Sequence, residues 1–143
     1  MKKIHAFLKQ TGEKLQDLSL LLLRLVLAYG FYEPALSKWS NLDSVTEWFA
    51  SMNYPFPLLN AYLTATVEAA GVVLLLVGFA TRIITPLLMF VMIVAITTVH
   101  LAHGFSAGNN GFEIPLYYFV MLLVLFAFGP GKYSFSYLFC KKK

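Results

Sequence analysis

Four apolar segments dominate the chain, and each has close to the length that a helix needs to cross a lipid bilayer. A spanning helix requires about 20 predominantly apolar residues. The segments cover about residues 18–38, 58–79, 83–102 and 114–128, and the last is slightly short. This pattern predicts an all-α fold, an integral membrane four-helix bundle.

The composition supports a membrane protein and argues against several soluble classes. Charged residues make up 13% of the chain and hydrophobic residues 59%, whereas soluble domains carry about 25% charged residues. The net charge of +4 arises mostly from lysines in the two tails, so no nucleic-acid surface is predicted. The single cysteine, Cys140, excludes an intramolecular disulfide.

The positions of the basic residues predict how the chain is oriented. In a four-span arrangement one side of the membrane holds Lys2, Lys3, Lys9, Lys14, Arg82, Lys132, Lys141, Lys142 and Lys143. Because cytoplasmic loops are enriched in Lys and Arg, both termini are predicted to be cytoplasmic. The expected organisation is a basic amphipathic segment (1–17), a four-helix transmembrane domain (18–136) and a basic tail (137–143).

The first outer loop contains a second amphipathic element. Residues 41–52 place aromatic and polar side chains together, and the sequence Asn53–Pro57 then ends any helix. We expect a short interfacial helix in this loop.

Glu68 lies near the middle of the second span, where an unpaired ionisable side chain is costly. Helical spacing places small and polar residues on its face: Ala61, Thr64, Ala65, Glu68, Gly71, Val72 and Leu75. Arg24 of the first span is the predicted partner, forming a buried ion pair that aligns the two helices. The alternative is a proton or cation site.

A cluster of polar side chains is predicted at the outer face. His100 and His103 share a helical face near the end of the third span, and Glu113 begins the fourth. Glu33 and Lys38 are expected at a similar depth, and Pro34 predicts a kink beside Glu33.

This cluster has three interpretations. His100, His103 and Glu113 form a possible zinc or copper site, since imidazole and carboxylate suit both metals. A histidine with Tyr117 and Trp39 suits the polar ring of a quinone. In the structural interpretation, His100 satisfies a backbone carbonyl and Glu113 complements the dipole of the fourth helix.

Short groups of residues follow one another in a distinctive order. They are Leu23–Gly30 with Lys38, Val67–Gly71, Gly78–Arg82, Val99-His100 with Gly104-Phe105, Gly111–Glu113 and Gly129–Gly131. Together they resemble the DoxX family of small bacterial membrane proteins. By matching position, the family pattern carries over to Arg24, Lys38, Glu68, Arg82, His100 and Glu113. The sequences of Gly30–Pro34 and Asn109–Tyr118 are similar to those of one subgroup of the family. Its members are encoded beside maturation genes for copper-binding modified peptides.

The resemblance implies a protein of the bacterial inner membrane. Family members have been linked to quinone-dependent sulfur oxidation, to oxidative-stress complexes and to copper-peptide systems. Our first hypothesis is an accessory membrane subunit of a redox or copper-handling maturation system, working with other membrane or soluble proteins. The chain contains no P-loop, no His-Glu-x-x-His, no cysteine pair and no dinucleotide-binding turn.

Two alternatives to this hypothesis stay open. The first is a quinone-interacting oxidoreductase component. The second is a metal or small-solute carrier, which requires a homo-oligomer because four short helices leave little room for alternating access. The expected cofactors are accordingly a quinone, copper or zinc.

Overall fold

The structure, a computed structural model, describes the backbone of residues 2–140 and the side chains of residues 4–139. All regular elements in this range are helical. They are α1 (Lys2–Ser40), α2 (Leu42–Ser51), α3 (Pro57–Val77), α4 (Thr81–Ala95), α5 (Glu113–Phe128) and α6 (Phe135–Cys140). A π-helical segment (Ile96–His100) and a 3₁₀ turn (Leu101–His103) extend α4, and a second 3₁₀ turn (Ala107–Asn109) precedes α5. Lys141, Lys142 and Lys143 of the predicted basic tail lie outside the described residues.

Three of the helices are long and apolar enough to cross a membrane. These are Ile4–Ser40, Pro57–Val77 and Thr81–His103. The fourth apolar helix, α5, has 16 residues and is therefore about 24 Å long at ~1.5 Å per residue. It is somewhat shorter than the hydrocarbon layer of about 30 Å. These lengths and compositions are those of a helical membrane protein.

The bundle is built from α1, α3, α4 and α5. Helix α1 packs against α3 and α5, and α4 packs against the same two helices. The predicted face of α3 is confirmed, since its buried residues are Ala61, Ala65, Glu68, Gly71, Val72 and Leu75. Leucines of α1, α3, α4 and α5 complete one continuous core. Small residues on α1 and α3 allow close approach, as is typical where lipid provides no hydrophobic driving force.

The two ends of the bundle differ. We call one the turn end, where the α3–α4 turn (78–80) meets the C-terminal segment (129–140). We call the other the cap end, where α2 and the loop 101–112 lie. At the turn end, the amide N–H of Lys132 and its Nζ both bind Asp17 of α1, each at 2.9 Å. The hydrogen bond and charge of Asp17 raise the pKa of Lys132, so this contact holds the C-terminal segment against α1.

Arg24 is fully buried at the turn end. Its Nη1 donates to the carbonyl of Leu75 at 3.4 Å, and its Nη2 donates to the carbonyl of Tyr133. Leu75 lies in the last turn of α3, where backbone carbonyls lack helical partners. A Cβ atom at Gly78 would overlap with this guanidinium. Arg24 therefore joins α1, the end of α3 and the C-terminal segment through backbone carbonyls.

The predicted helix in the first loop is confirmed as α2. It packs along α3, and Phe49 is buried between the rings of Trp48 and Tyr54, at centroid distances of 5.0 and 5.5 Å. Pro55 and Phe56 then connect directly to α3. Pro57 is the first residue of that helix, a position at which proline is favoured. Helix α2 thus covers the cap end of the bundle.

Candidate functional site

The cap end of the bundle encloses a cavity of about 600 Å³. Near the turn end, α3 and α4 are in close contact, since a Cβ at Gly71 would lie 2.9 Å from the Leu88 side chain. Beyond this contact, side chains of α1, α2, α3, α4 and α5 line the space. Its walls are almost entirely apolar, and its volume lies within the ~300–1,000 Å³ of small-molecule sites.

One wall of the cavity carries a buried ion pair. Lys38 Nζ lies 2.7 and 3.0 Å from the two carboxylate oxygens of Glu68, and both residues line the cavity. The Glu68 side chain is 3% exposed and that of Lys38 is 27% exposed. A charge pair inside an apolar wall can hold and orient a polar group of a ligand.

The predicted pairing of Glu68 with Arg24 is wrong, because Lys38 occupies that position. Arg24 and Lys38 lie about 21 Å apart along α1, at ~1.5 Å per residue. Helix α1 is placed against α3 so that Lys38 reaches the level of Glu68, and Arg24 reaches the carbonyl of Leu75. Glu68 thus has the buried partner that its position demands, at the cap end instead of the turn end.

His100 lines the cavity from the last residue of the π-helical segment. Its Nδ1 lies 2.7 Å from the carbonyl oxygen of Asn110, so this nitrogen carries the proton. A neutral His100 then presents Nε2 as a hydrogen-bond acceptor, and a protonated one presents it as a donor. A π-helical turn widens a helix and is frequent at functional sites; here it positions the ring that closes this side of the cavity.

The other predicted residues do not join His100. The exposed His103 places Nδ1 2.9 Å from the carbonyl of Val99. Glu113 accepts hydrogen bonds from the Ala107 N–H at 2.9 Å and from Tyr117 Oη at 3.0 Å. The structural interpretation gave His100 a backbone carbonyl as its partner, and the carbonyl of Asn110 is that partner. Glu113 is the first residue of α5, as that interpretation also expected.

Glu33 is exposed, and α1 continues without interruption through Pro34. Trp39 donates its indole N–H to the carbonyl of Ala65 at 3.1 Å. Within the described part of the chain, no three His, Cys, Asp or Glu side chains come together as metal ligands. The geometry therefore gives no support to a metal centre formed by His100, His103 and Glu113.

Several aromatic residues in the cavity wall were not predicted from the sequence. Tyr118 lines the cavity, its hydroxyl lies against Gly30, and its ring stacks edge-on with Phe31 at 5.5 Å. The predicted residue was its neighbour Tyr117, which faces about 100° away around the helix. Trp48 and Tyr54 also line the cavity, because α2 folds back over α3. Gly30 was the one local sequence signal for the contact with Tyr118, since a glycine inside a helix often marks a close contact.

The arrangement suits an apolar molecule that carries a polar ring. Lys38, Glu68 and His100 provide one cation, one anion and one imidazole ring that can hydrogen-bond a ligand. Tyr118, Trp48 and Phe49 offer flat apolar surfaces beside them. A planar ligand with carbonyl or hydroxyl groups would satisfy both parts of this wall.

Comparison with known proteins identifies the family of the chain. An uncharacterized protein of Haemophilus influenzae is 34% identical over 131 residues, covering 86% of this chain and 84% of the relative. A Bacillus subtilis protein described as "Putative oxidoreductase CatD" is 35% identical over 97 residues, covering 68% of this chain and 70% of the relative. No solved structure shows a significant match. The DoxX family model matches residues 19–101, a region that includes Lys38, Glu68 and His100, and the chain belongs to the DoxX family.

Proposed function

We propose that this protein is the membrane component of a redox system and that its cavity binds the ring of a lipid-soluble quinone. The observation that carries the proposal is the cavity itself: an apolar space of about 600 Å³ whose few polar groups include Lys38, Glu68 and His100. A relative described as "Putative oxidoreductase CatD" gives independent support for redox chemistry.

The polar groups match what a quinone ring needs. Its carbonyl oxygens accept hydrogen bonds, and the Lys38 ammonium and a protonated His100 are donors in the wall. Reduction of a quinone to a quinol consumes protons as well as electrons. His100 and Glu68 are groups through which protons pass to the ring, while the electrons come from a partner dehydrogenase. In this proposal the chain is an accessory subunit that holds the quinone for that partner.

A metal-handling role has weaker support from the geometry. His100, His103 and Glu113 each bind a different backbone or side-chain group in and around the loop, so they do not form one coordination shell.

The basic residues favour an inner-membrane location with both termini in the cytoplasm. The cavity then lies in the outer half of the bilayer.

The quinone proposal is tested by purifying the full chain in a mild detergent from quinone-containing bacterial membranes. Quinone per protein is measured by mass spectrometry for wild type, His100→Ala and His103→Ala. We expect wild type to retain quinone, His100→Ala to lose at least about fivefold, equivalent to about 1 kcal/mol, and His103→Ala to match wild type. His103 is the matched control because it is exposed and does not line the cavity.

Two outcomes count against the proposal. Wild-type protein with no more quinone than an unrelated membrane protein purified in parallel would refute it. Equal quinone retention by His100→Ala and wild type would show that His100 does not contribute to quinone binding.

A further inference from the structure

The rim of the cavity lies on the exposed surface of α3 and α4. Leu63 of α3 and Leu87 and Phe90 of α4 all line the cavity. They are also 53%, 48% and 66% exposed. Each belongs to a helix long and apolar enough to span a membrane. We call the opening bordered by Leu63, Leu87 and Phe90 the α3–α4 gap.

The position of the gap follows from how the two helices pack. Near the turn end, Gly71 and Leu88 hold α3 and α4 together. Toward the cap end, the cavity lies between them, and the side chains at its border are apolar. Because these exposed apolar side chains belong to helices long enough to span a membrane, the opening suits contact with hydrocarbon better than contact with water.

Aromatic side chains of α2 and of the turn that follows it line the cavity at the cap end. They are Trp48, Phe49 and Tyr54, and Phe49 is buried there. The ion pair of Lys38 and Glu68 lies inside, on α1 and α3. A ligand therefore meets apolar surface at the α3–α4 gap and polar groups only within the cavity.

We infer that the ligand enters sideways from the bilayer through the α3–α4 gap, and that it carries a long apolar tail which remains in this gap. This inference rests on the proposed function and deepens it by naming the substrate class, a long-tailed isoprenoid quinone. A cavity of this volume holds a ring and a short part of a tail, so the remainder of a long tail extends between Leu63, Leu87 and Phe90 into the lipid.

The test fills the gap while leaving the ring site intact. Leu63→Trp and Leu87→Trp place a bulky side chain at its border, one on each helix. Leu76→Trp on α3 and Ile93→Trp on α4 are matched controls, because both residues are about half exposed but do not line the cavity. Each protein is reconstituted in lipid nanodiscs. Binding of a polyisoprenoid benzoquinone and of the same ring without a tail is measured by equilibrium retention and mass spectrometry.

A second variant blocks the gap after folding. Leu87→Cys in a Cys140→Ser background has one thiol, which a bulky maleimide modifies in the reconstituted protein. Binding before and after modification is then compared within one folded sample. We expect both kinds of block to reduce retention of the tailed quinone at least about fivefold, equivalent to about 1 kcal/mol. Retention of the tailless ring should fall by less, because the ring only has to pass the gap whereas the tail has to remain in it.

The outcomes separate the inference from the proposed function. Wild-type protein that binds neither compound refutes the proposed function, and the inference with it. Blocked variants that retain the tailed quinone like wild type, or lose both compounds equally, overturn the inference and leave the quinone site in place. A phospholipid found in the gap by native mass spectrometry and not displaced by the tailed quinone also overturns it.

Discussion

Glu68 has a partner, and that pair determines what substitutions at either position do. Removing one member of a buried pair leaves an uncompensated charge, which costs about 3–5 kcal/mol. We expect Lys38→Met to reduce the free energy of unfolding by about 3 kcal/mol, the lower end of this range, since Lys38 is partly exposed. Lys38→Met/Glu68→Gln should recover most of the loss because no charge remains buried.

Denaturant titration in detergent micelles measures these differences. Lys9→Met is the control: Lys9 pairs with Glu13 at 3.9 Å on the surface, and such pairs contribute about 0–1 kcal/mol. A double variant no more stable than Lys38→Met would show that the pair does not determine the stability of this site.

Gly78 is a second position where adding a single atom, a Cβ, is expected to lower the stability of the protein. Its φ of +68° lies in the left-handed region, and a Cβ there would overlap with the Arg24 guanidinium. We expect Gly78→Ala to destabilise the protein by at least about 2 kcal/mol, from backbone strain and displacement of Arg24. Gly12→Ala is the matched control, because Gly12 lies in α1 with no atom within 4 Å of the added Cβ. It should stabilise by about 0.5–1 kcal/mol. Equal thermal midpoints for the two variants would contradict this account of Gly78.

Periodicity predicted which residues of α3 face inward but not which residue they meet. The buried face around Glu68 follows from helical spacing, a local property of the sequence. The partner depends on how far α1 is shifted along α3, which spacing within either helix does not determine. Lys38 was expected near the outer face, and Arg24 was expected to reach Glu68. In the structure Lys38 pairs with Glu68 at the cap end, and Arg24 donates to backbone carbonyls at the turn end.

The π-helical segment Ile96–His100 is the element that positions the histidine of the cavity. A π turn holds one residue more than the α-helical ladder requires. Because this segment already accommodates one extra residue, inserting an alanine after Thr97, which is exposed and does not line the cavity, should rotate His100 by about 100° away from the cavity. We expect quinone retention to fall at least about fivefold, as in His100→Ala, equivalent to about 1 kcal/mol.

The control for this insertion is the thermal midpoint of unfolding, which should change little because the loop 104–112 accommodates the added residue. Unchanged quinone retention in a folded insertion variant would show that the helical phase of this segment does not determine the position of His100.

The helices differ in how strongly the sequence predicted them. Helix α2 was predicted from its amphipathic pattern and its terminating prolines. Its position over the cavity was not, because an amphipathic face fits a lipid headgroup layer as well as another helix. The π segment has no comparable signal in the sequence, since isoleucine, threonine and valine also occur in ordinary spanning helices.

The bundle as a unit combines a tightly connected end with an end that contains space. At the turn end, Arg24 and the Asp17–Lys132 pair connect α1, α3 and the C-terminal segment. At the cap end, the same helices surround the cavity, and α2 covers it. This division allows a ligand to occupy the cap end without loosening the contacts that hold the helices together.

Under the proposed function, the orientation of the bundle decides which aqueous phase supplies protons to the quinone. Basic residues at the turn end favour the cytoplasm for that end, which places His100 near the opposite face. We expect Cys140, the only cysteine of the chain, to react with a membrane-impermeant maleimide in inside-out vesicles and not in intact spheroplasts. Ser106→Cys in a Cys140→Ser background should show the reverse pattern, because Ser106 is exposed in the cap-end loop. Labelling of both positions from the same side would mean that α5 does not span the bilayer, whereas reversed labelling of both would place the cavity at the cytoplasmic face.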